Sequence, residues 1–215
     1  MIRAALRWRT FNFAWTMAPL VALSAQATDA DLSGGIAPQV MVKVYDSAHV
    51  SARALTKAET HAAGIFWKVG IKVTWVADLM APDVKKRSAS QSWNPAYLQL
   101  RIWPHSLMRP KVIGSDTLGF CISMEEGDAV VLSEEVQNFA EWIRFGDTAN
   151  LLGLAMAHEM GHVLLRTLGH SGGGIMQARW RPKDLRDSEQ GLLLFTPEQG
   201  HLMRNDVVRR MGYSA

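Results

Sequence analysis

The sequence predicts an α+β protein in which one mixed, twisted β-sheet of about four to five strands packs against helices. The composition supports a buried core, since 48% of the 215 residues are hydrophobic and 20% are charged. The order of the predicted strands and helices indicates the α+β class. Segments rich in β-forming residues are followed by segments whose apolar residues recur at helical spacing, and no internal repeat is present.

The first half of the chain supplies three strands and one helix. Residues 40–45 are rich in β-formers, and residues 71–76 and 97–103 alternate apolar and polar side chains, so all three segments are predicted strands. Between the first two, apolar residues recur at helical spacing from position 50 to 69, and Gly70 follows as a C-terminal cap. This helix is expected to back the sheet.

The second half supplies two shorter strands and two more helices. Residues 118–123 and 129–132 are strand candidates separated by the turn-like sequence EEGD. Residues 148–168 again show the helical pattern. The last helix is predicted to begin at Thr196, where threonine, proline and glutamine supply an N-cap, a first-turn proline and a capping-box partner.

The N-terminus has the pattern of a secretory signal peptide. An uncharged apolar stretch at residues 11–23 is preceded by three arginines and followed by the small residues Ala25 and Ala27. A membrane-spanning helix is the alternative, but it needs about 20 apolar residues, and Thr16, Pro19 and Ser24 interrupt this stretch. We therefore assign residues 1–27 to a signal peptide and residues 28–215 to a single domain, secreted or periplasmic, without a stable membrane anchor after cleavage.

The net charge of +3 belongs to this leader. It holds three of the 23 basic residues and no acidic one, so its removal leaves 20 basic and 20 acidic side chains. A neutral mature protein is not expected to bind nucleic acid. The single cysteine, Cys121, excludes intrachain disulfides and multi-cysteine metal clusters.

The predicted helix at residues 148–168 contains the pattern H-E-x-x-H, formed by His158, Glu159 and His162. Side chains four residues apart lie on the same face of a helix, so both imidazoles can reach one zinc ion with the glutamate beside it. The alternative is an ordinary polar pattern on a helix face.

A catalytic zinc ion usually has three protein ligands, so a third ligand is required. His170 is the preferred candidate, because Gly169 can end the helix in a left-handed turn that brings His170 back to the metal. A carboxylate is the alternative third ligand; the candidates are Asp184, Asp187 and Glu189.

The string HEMGHVLLRTLGHSGGGIM resembles the metzincin clan of zinc endopeptidases, and within it the matrixin-like pattern. It is most similar to secreted bacterial proteins of unknown substrate that share HExGHxLL, HSxxGIM and GLLFTPEQ. The resemblance implies a zincin-like fold, with His158, His162 and His170 as zinc ligands and Glu159 as general base. Met176 would form the methionine turn beneath the metal.

The chain departs from the metzincin pattern in two places. The interval from His162 to His170 is eight residues instead of six, with Leu168 at the expected ligand position. The tyrosine that some members carry after the methionine is absent, and the sequence there is Gln-Ala-Arg-Trp.

The resemblance also implies a substrate-binding strand upstream of the metal site. In matrixin-like enzymes an exposed edge strand pairs with extended substrate, a form of β-augmentation. The matching residues here are Gly119, Phe120, Cys121 and Ile122. An ordinary core strand with a buried, structural Cys121 is the alternative.

The sequence therefore predicts a secreted or periplasmic zinc endopeptidase, with one catalytic zinc ion and a peptide or protein as substrate. Two alternatives remain: a catalytically inactive zincin-fold module that binds zinc, and a membrane-anchored structural protein that keeps residues 1–27.

Overall fold

The computed structural model describes residues 38–76, 96–107 and 117–212. The signal-peptide assignment lies outside these residues. The strands are β1 (Gln39–Asp46), β2 (Lys72–Val76), β3 (Ala96–Trp103), β4 (Gly119–Ser123) and β5 (Asp128–Leu132). The helices are α1 (Ala52–Trp67), α2 (Ser133–Ile143), α3 (Thr148–Leu165), α4 (Pro182–Glu189) and α5 (Pro197–Arg210).

The five strands form one mixed sheet in the order β2-β1-β3-β5-β4. The pairs β1 with β2, β1 with β3 and β3 with β5 are parallel, whereas β4 runs antiparallel to β5. The sheet, the backing helix α1, the motif-bearing helix α3 and the C-terminal helix α5 confirm the predicted α+β class with one mixed sheet. β4 lies at the edge of this sheet.

Helix α3 contacts α1, α5 and the sheet strands β3, β4 and β5, so it lies at the centre of the core. Its approach to α1 depends on Gly153, where an added Cβ atom would lie 2.6 Å from the backbone oxygen of Ala58. Only glycine allows two helices to approach this closely at that position.

Among the described residues, no helix is long and apolar enough to cross a membrane.

Two helices of the structure are missing from the predicted element order. Helix α2 follows β5 without a break, and its N-cap position, Leu132, makes no side-chain capping bond. Helix α4 has only eight residues.

Helix α3 ends earlier than the predicted residue 168. Leu165 is its last residue, because Arg166 adopts the left-handed conformation at φ 52°.

A buried carboxylate connects helix α5 to the edge of the sheet. Asp206 is 6% exposed, and its Oδ2 accepts a hydrogen bond of 2.5 Å from Nε of Arg210. The Arg210 guanidinium also donates to the backbone oxygens of Met124 and Glu125, in the turn between β4 and β5. Arg166, at the end of α3, pairs with both Glu125 and Asp206. The turn is thereby fixed to α3 and α5.

The packing of α3 on α1 is tested by a pair of glycine substitutions. Gly153→Ala should lower the free energy of unfolding by about 1–3 kcal/mol, because the new methyl group meets backbone that cannot move aside. Gly64→Ala is the matched control, since Gly64 lies in α1 with nothing within 4 Å of an added Cβ atom. It should raise stability by about 0.5–1 kcal/mol. Urea denaturation measures both, and equal effects of the two changes would contradict this account.

Candidate metal centre

Helix α3 carries three polar side chains into an apolar interior. Every residue from Leu151 to Leu164 is buried, and His158 and Glu159 are 0% exposed. A buried polar group costs free energy unless it is hydrogen-bonded or binds an ion. The side chains of His158, Glu159 and His162 therefore require partners from outside the helix.

Two backbone carbonyls orient the imidazoles of the helix. Nδ1 of His158 lies 2.8 Å from the oxygen of Ile175, and Nδ1 of His162 lies 2.8 Å from the oxygen of Thr167. A carbonyl oxygen can only accept, so each Nδ1 carries the proton and donates it. In the neutral rings, each Nε2 then presents its lone pair. This is the tautomer that a metal ligand bound through Nε2 needs.

The lone pairs of His158 and His162 point toward the same small space. Their Nε2 atoms are 3.0 Å apart, which is close to the spacing of about 3.3 Å between two nitrogens on a tetrahedral zinc ion. Two lone pairs at this separation repel each other unless a cation or a proton lies between them. Burial, the largest effect, lowers the pKa of His162 to about 4, so a proton is disfavoured at neutral pH.

His170 completes a group of three imidazoles. Its ring centroid lies 5.4 Å from that of His158 and 4.9 Å from that of His162, and one ligand atom from each residue lies within 4.8 Å of the other two. The structure thus brings together the three histidines that the sequence singled out, and this group could hold a metal.

Burial also shifts the pKa values of His158, His170 and Glu159. Desolvation lowers the pKa of His158 well below its ordinary value, with a further contribution from the charge of His162, and desolvation lowers the pKa of His170 as well. These effects keep the rings neutral, as metal ligation requires. Desolvation raises the pKa of Glu159 well above that of a free carboxyl group. A cation at the imidazoles would oppose this effect.

Glu159 is a fully buried acidic side chain. Both carboxylate oxygens are buried without a hydrogen-bond partner among the described residues. The edge strand makes room for this side chain, because a Cβ atom added at Gly119 would lie 2.6 Å from Cγ of Glu159 and 2.5 Å from the oxygen of Val130. Gly119 therefore lies directly against the candidate catalytic glutamate.

Met176 is buried and packs against helix α3 at the glycine between the two helix histidines. A Cβ atom added at Gly161 would lie 2.7 Å from Sδ of Met176 and 2.8 Å from the ring of Phe195. The glycine between the two helix histidines thus allows the methionine turn to approach. The turn is fixed from its other side by a hydrogen bond of 2.9 Å from the nitrogen of Ile175 to the oxygen of Leu194.

Trp180 is a site residue that sequence reasoning missed. It is 6% exposed, and its indole Nε1 donates a hydrogen bond of 3.0 Å to the oxygen of Ile175. The same oxygen accepts the hydrogen bond from Nδ1 of His158. The indole meets the imidazole of His158 edge to face at 5.6 Å between ring centroids. The only sequence signal was the position of this tryptophan, four residues after Met176.

The edge strand β4 presents side chains of mixed exposure. Ile122 is 48% exposed, whereas Phe120 and Cys121 are half-buried. Burial, the largest effect, and the charge of Glu159 raise the pKa of the Cys121 thiol to about 11, so the thiol remains protonated and poorly nucleophilic. Substrate binding by this strand stays a prediction.

Two of the three carboxylates considered as third ligands, Asp184 and Asp187, have other partners. Asp184 accepts a hydrogen bond from the backbone nitrogen of Arg181, and Asp187 pairs with Lys183 in the same short helix. Within residues 38–76, 96–107 and 117–212, the group of possible metal ligands is His158, His162 and His170.

Among solved structures, archaemetzincin is distantly similar to this chain. Archaemetzincin from Methanopyrus kandleri is similar to this chain with a TM-score of 0.43 and 14% sequence identity, over 82% of this chain and 98% of that one. No family model and no curated protein matches the sequence. At this identity and TM-score, the likeness assigns neither a metal nor an activity to the chain.

The role of His170 is tested by metal content. His170→Ala should weaken zinc binding by more than the roughly 10- to 100-fold that loss of an outer partner of a metal ligand typically costs, because it removes one of three ligands. The control is His201→Ala, which removes an exposed imidazole on α5. Elemental analysis after dialysis against a weak chelator measures the effect. Full zinc occupancy in both variants would exclude His170 as a ligand.

Proposed function

We propose that the protein is a zinc-dependent endopeptidase. One observation carries this proposal: three imidazoles converge beside a buried glutamate whose carboxylate oxygens have no partner among the described residues. The imidazoles are suitable zinc ligands by type, number and tautomer. A glutamate that is not needed as a ligand costs stability in this position, and general-base chemistry accounts for its presence.

His158, His162 and His170 would hold the ion. Zinc bound there would supply Lewis acidity toward water and toward the scissile carbonyl group. The Glu159 carboxylate would accept a proton from the attacking water as the oxygen of that water bonds to the carbonyl carbon. As the carbon–nitrogen bond breaks, Glu159 would pass the proton to the leaving amine. Water is consumed, and the products are a carboxylate and an ammonium group, which together hold both protons of the water.

The proposed substrate is a peptide or protein segment in an extended conformation. Edge strand β4 leaves one side of its backbone unpaired in the described sheet, and Gly119 at its start lies against Glu159. A segment paired along β4 would therefore pass close to the proposed general base. Backbone pairing supplies affinity without strong side-chain preference, so the proposal extends to no particular cleavage sequence.

Substitution of the proposed base separates catalysis from metal binding. Glu159→Gln should keep zinc and reduce hydrolysis of casein by about 10²- to 10⁴-fold, because the amide cannot accept the proton. Glu141→Gln is the matched control, since Glu141 is exposed on α2, and it should cleave at the wild-type rate. Rates are measured with labelled casein and with a mixed peptide library.

Two outcomes would contradict the endopeptidase proposal. Wild-type hydrolysis by Glu159→Gln would exclude the general-base role. Zinc binding by the wild-type protein without cleavage of any library peptide would favour the inactive zinc-binding module.

We also propose that the protein is exported and that residues 1–27 are removed. The support is the arrangement of arginines, apolar stretch and small residues in the sequence. N-terminal sequencing of the exported protein should give a chain that begins near Thr28. A chain that keeps Arg3 to Arg9 and remains in the membrane fraction would instead support the anchored alternative.

A further inference from the structure

We infer that Trp180 is a positioning residue for the metal ligand His158, acting through the backbone carbonyl of Ile175. This inference rests on the proposed zinc centre, but it concerns a residue outside the H-E-x-x-H motif. The indole Nε1 and the imidazole Nδ1 both donate to the Ile175 oxygen, at 3.0 and 2.8 Å.

The shared carbonyl explains why both donors matter. A carbonyl oxygen has two lone pairs, and here each receives one N–H group. With both filled, the peptide group between Ile175 and Met176 is held in one orientation. Its oxygen then fixes the direction and the tautomer of the His158 ring. Loss of the indole N–H leaves a buried lone pair unfilled and allows this peptide to rotate.

Ring packing provides a second restraint. The indole and the imidazole of His158 are nearly perpendicular, with an interplanar angle of 86° and centroids 5.6 Å apart. The bulk of the indole occupies the space that the imidazole would need in order to rotate. Trp180 thus restrains His158 directly by contact and indirectly through Ile175.

The local sequence holds Trp180 in this position. Arg181 follows it directly and is the N-cap of α4, where the Asp184 carboxylate accepts a hydrogen bond of 2.7 Å from the Arg181 nitrogen. Pro182 begins the helix, and Leu185 anchors it in the core. The start of α4 therefore fixes the backbone that directly follows Trp180.

The decisive variant is Trp180→Phe, which removes the N–H group and keeps an aromatic ring. Its zinc dissociation constant should rise by about 10- to 100-fold, the cost typical of losing an outer partner of a metal ligand. Trp75→Phe is the matched control, because Trp75 Nε1 donates the same type of bond, 3.1 Å long, to the backbone oxygen of Glu59. That variant should bind zinc within about twofold of the wild type, although it loses a comparable hydrogen bond.

The measurements separate positioning from general stability. Competition with a coloured chelator gives the zinc affinities, and urea denaturation of the metal-free proteins gives their stabilities. Nitrogen-15 NMR of the metal-free proteins reports the His158 tautomer. The Nδ1-protonated form should dominate in the wild type and in Trp75→Phe, and should become mixed in Trp180→Phe. If Trp180→Phe does not fold, Trp180→Met, which also lacks a side-chain N–H or O–H donor, takes its place in the same comparison.

The outcomes distinguish this inference from the proposed function. Equal zinc affinities of Trp180→Phe and Trp75→Phe, with an active wild-type enzyme, would overturn the positioning role alone. Failure of the wild type to bind zinc would overturn the metal centre and this inference together. Zinc binding without peptide cleavage, combined with a weakened Trp180→Phe variant, would support the positioning role and exclude the endopeptidase.

Discussion

The burial of helix α3 on all sides is the constraint on which the rest of the structure depends. A helix that is apolar around its whole circumference must lie inside the core, and this one carries two histidines and a glutamate. Each buried polar atom on it costs free energy unless it has a partner outside the helix. The carbonyl groups of Thr167 and Ile175 meet this need for the two imidazole rings. The loop after α3 is therefore constrained by the helix that precedes it.

The same constraint connects the candidate metal centre to the edge of the sheet. Glu159 fits beside β4 only because Gly119 has no side chain. Arg166, at the end of α3, and Arg210, on α5, both bind the turn that follows β4. Both arginines also form ion pairs with the buried Asp206. One buried carboxylate thus fixes the turn after β4 relative to the helix that bears the glutamate. Since β4 runs directly into this turn, its position against Glu159 depends on contacts far from the imidazoles.

The sequence predicted the parts of the fold that carry strong local signals. The strands, the backing helix and the Thr196 capping box all have such signals, and the structure contains each of them. Helix α2 lacks a side-chain cap and follows a strand directly, and α4 has only eight residues, so neither gives a clear boundary in the sequence. The three histidines were found because two are fixed by helix geometry and the third follows closely. Trp180 was missed because its contact with His158 spans 22 positions and depends on the shape of the intervening turn.

The unusual spacing before His170 has a physical explanation in the end of α3. Gly169 was expected to supply the left-handed residue, but Arg166 adopts this conformation instead, and Arg166 tolerates it while its guanidinium pairs with Glu125. The helix consequently ends after Leu165, and the Thr167 carbonyl oxygen accepts a hydrogen bond from Nδ1 of His162. Leu168, at the ligand position of the metzincin pattern, is 64% exposed, so the two additional residues are accommodated at the surface. An early helix end thus allows the longer interval, while His170 still reaches the other two imidazoles.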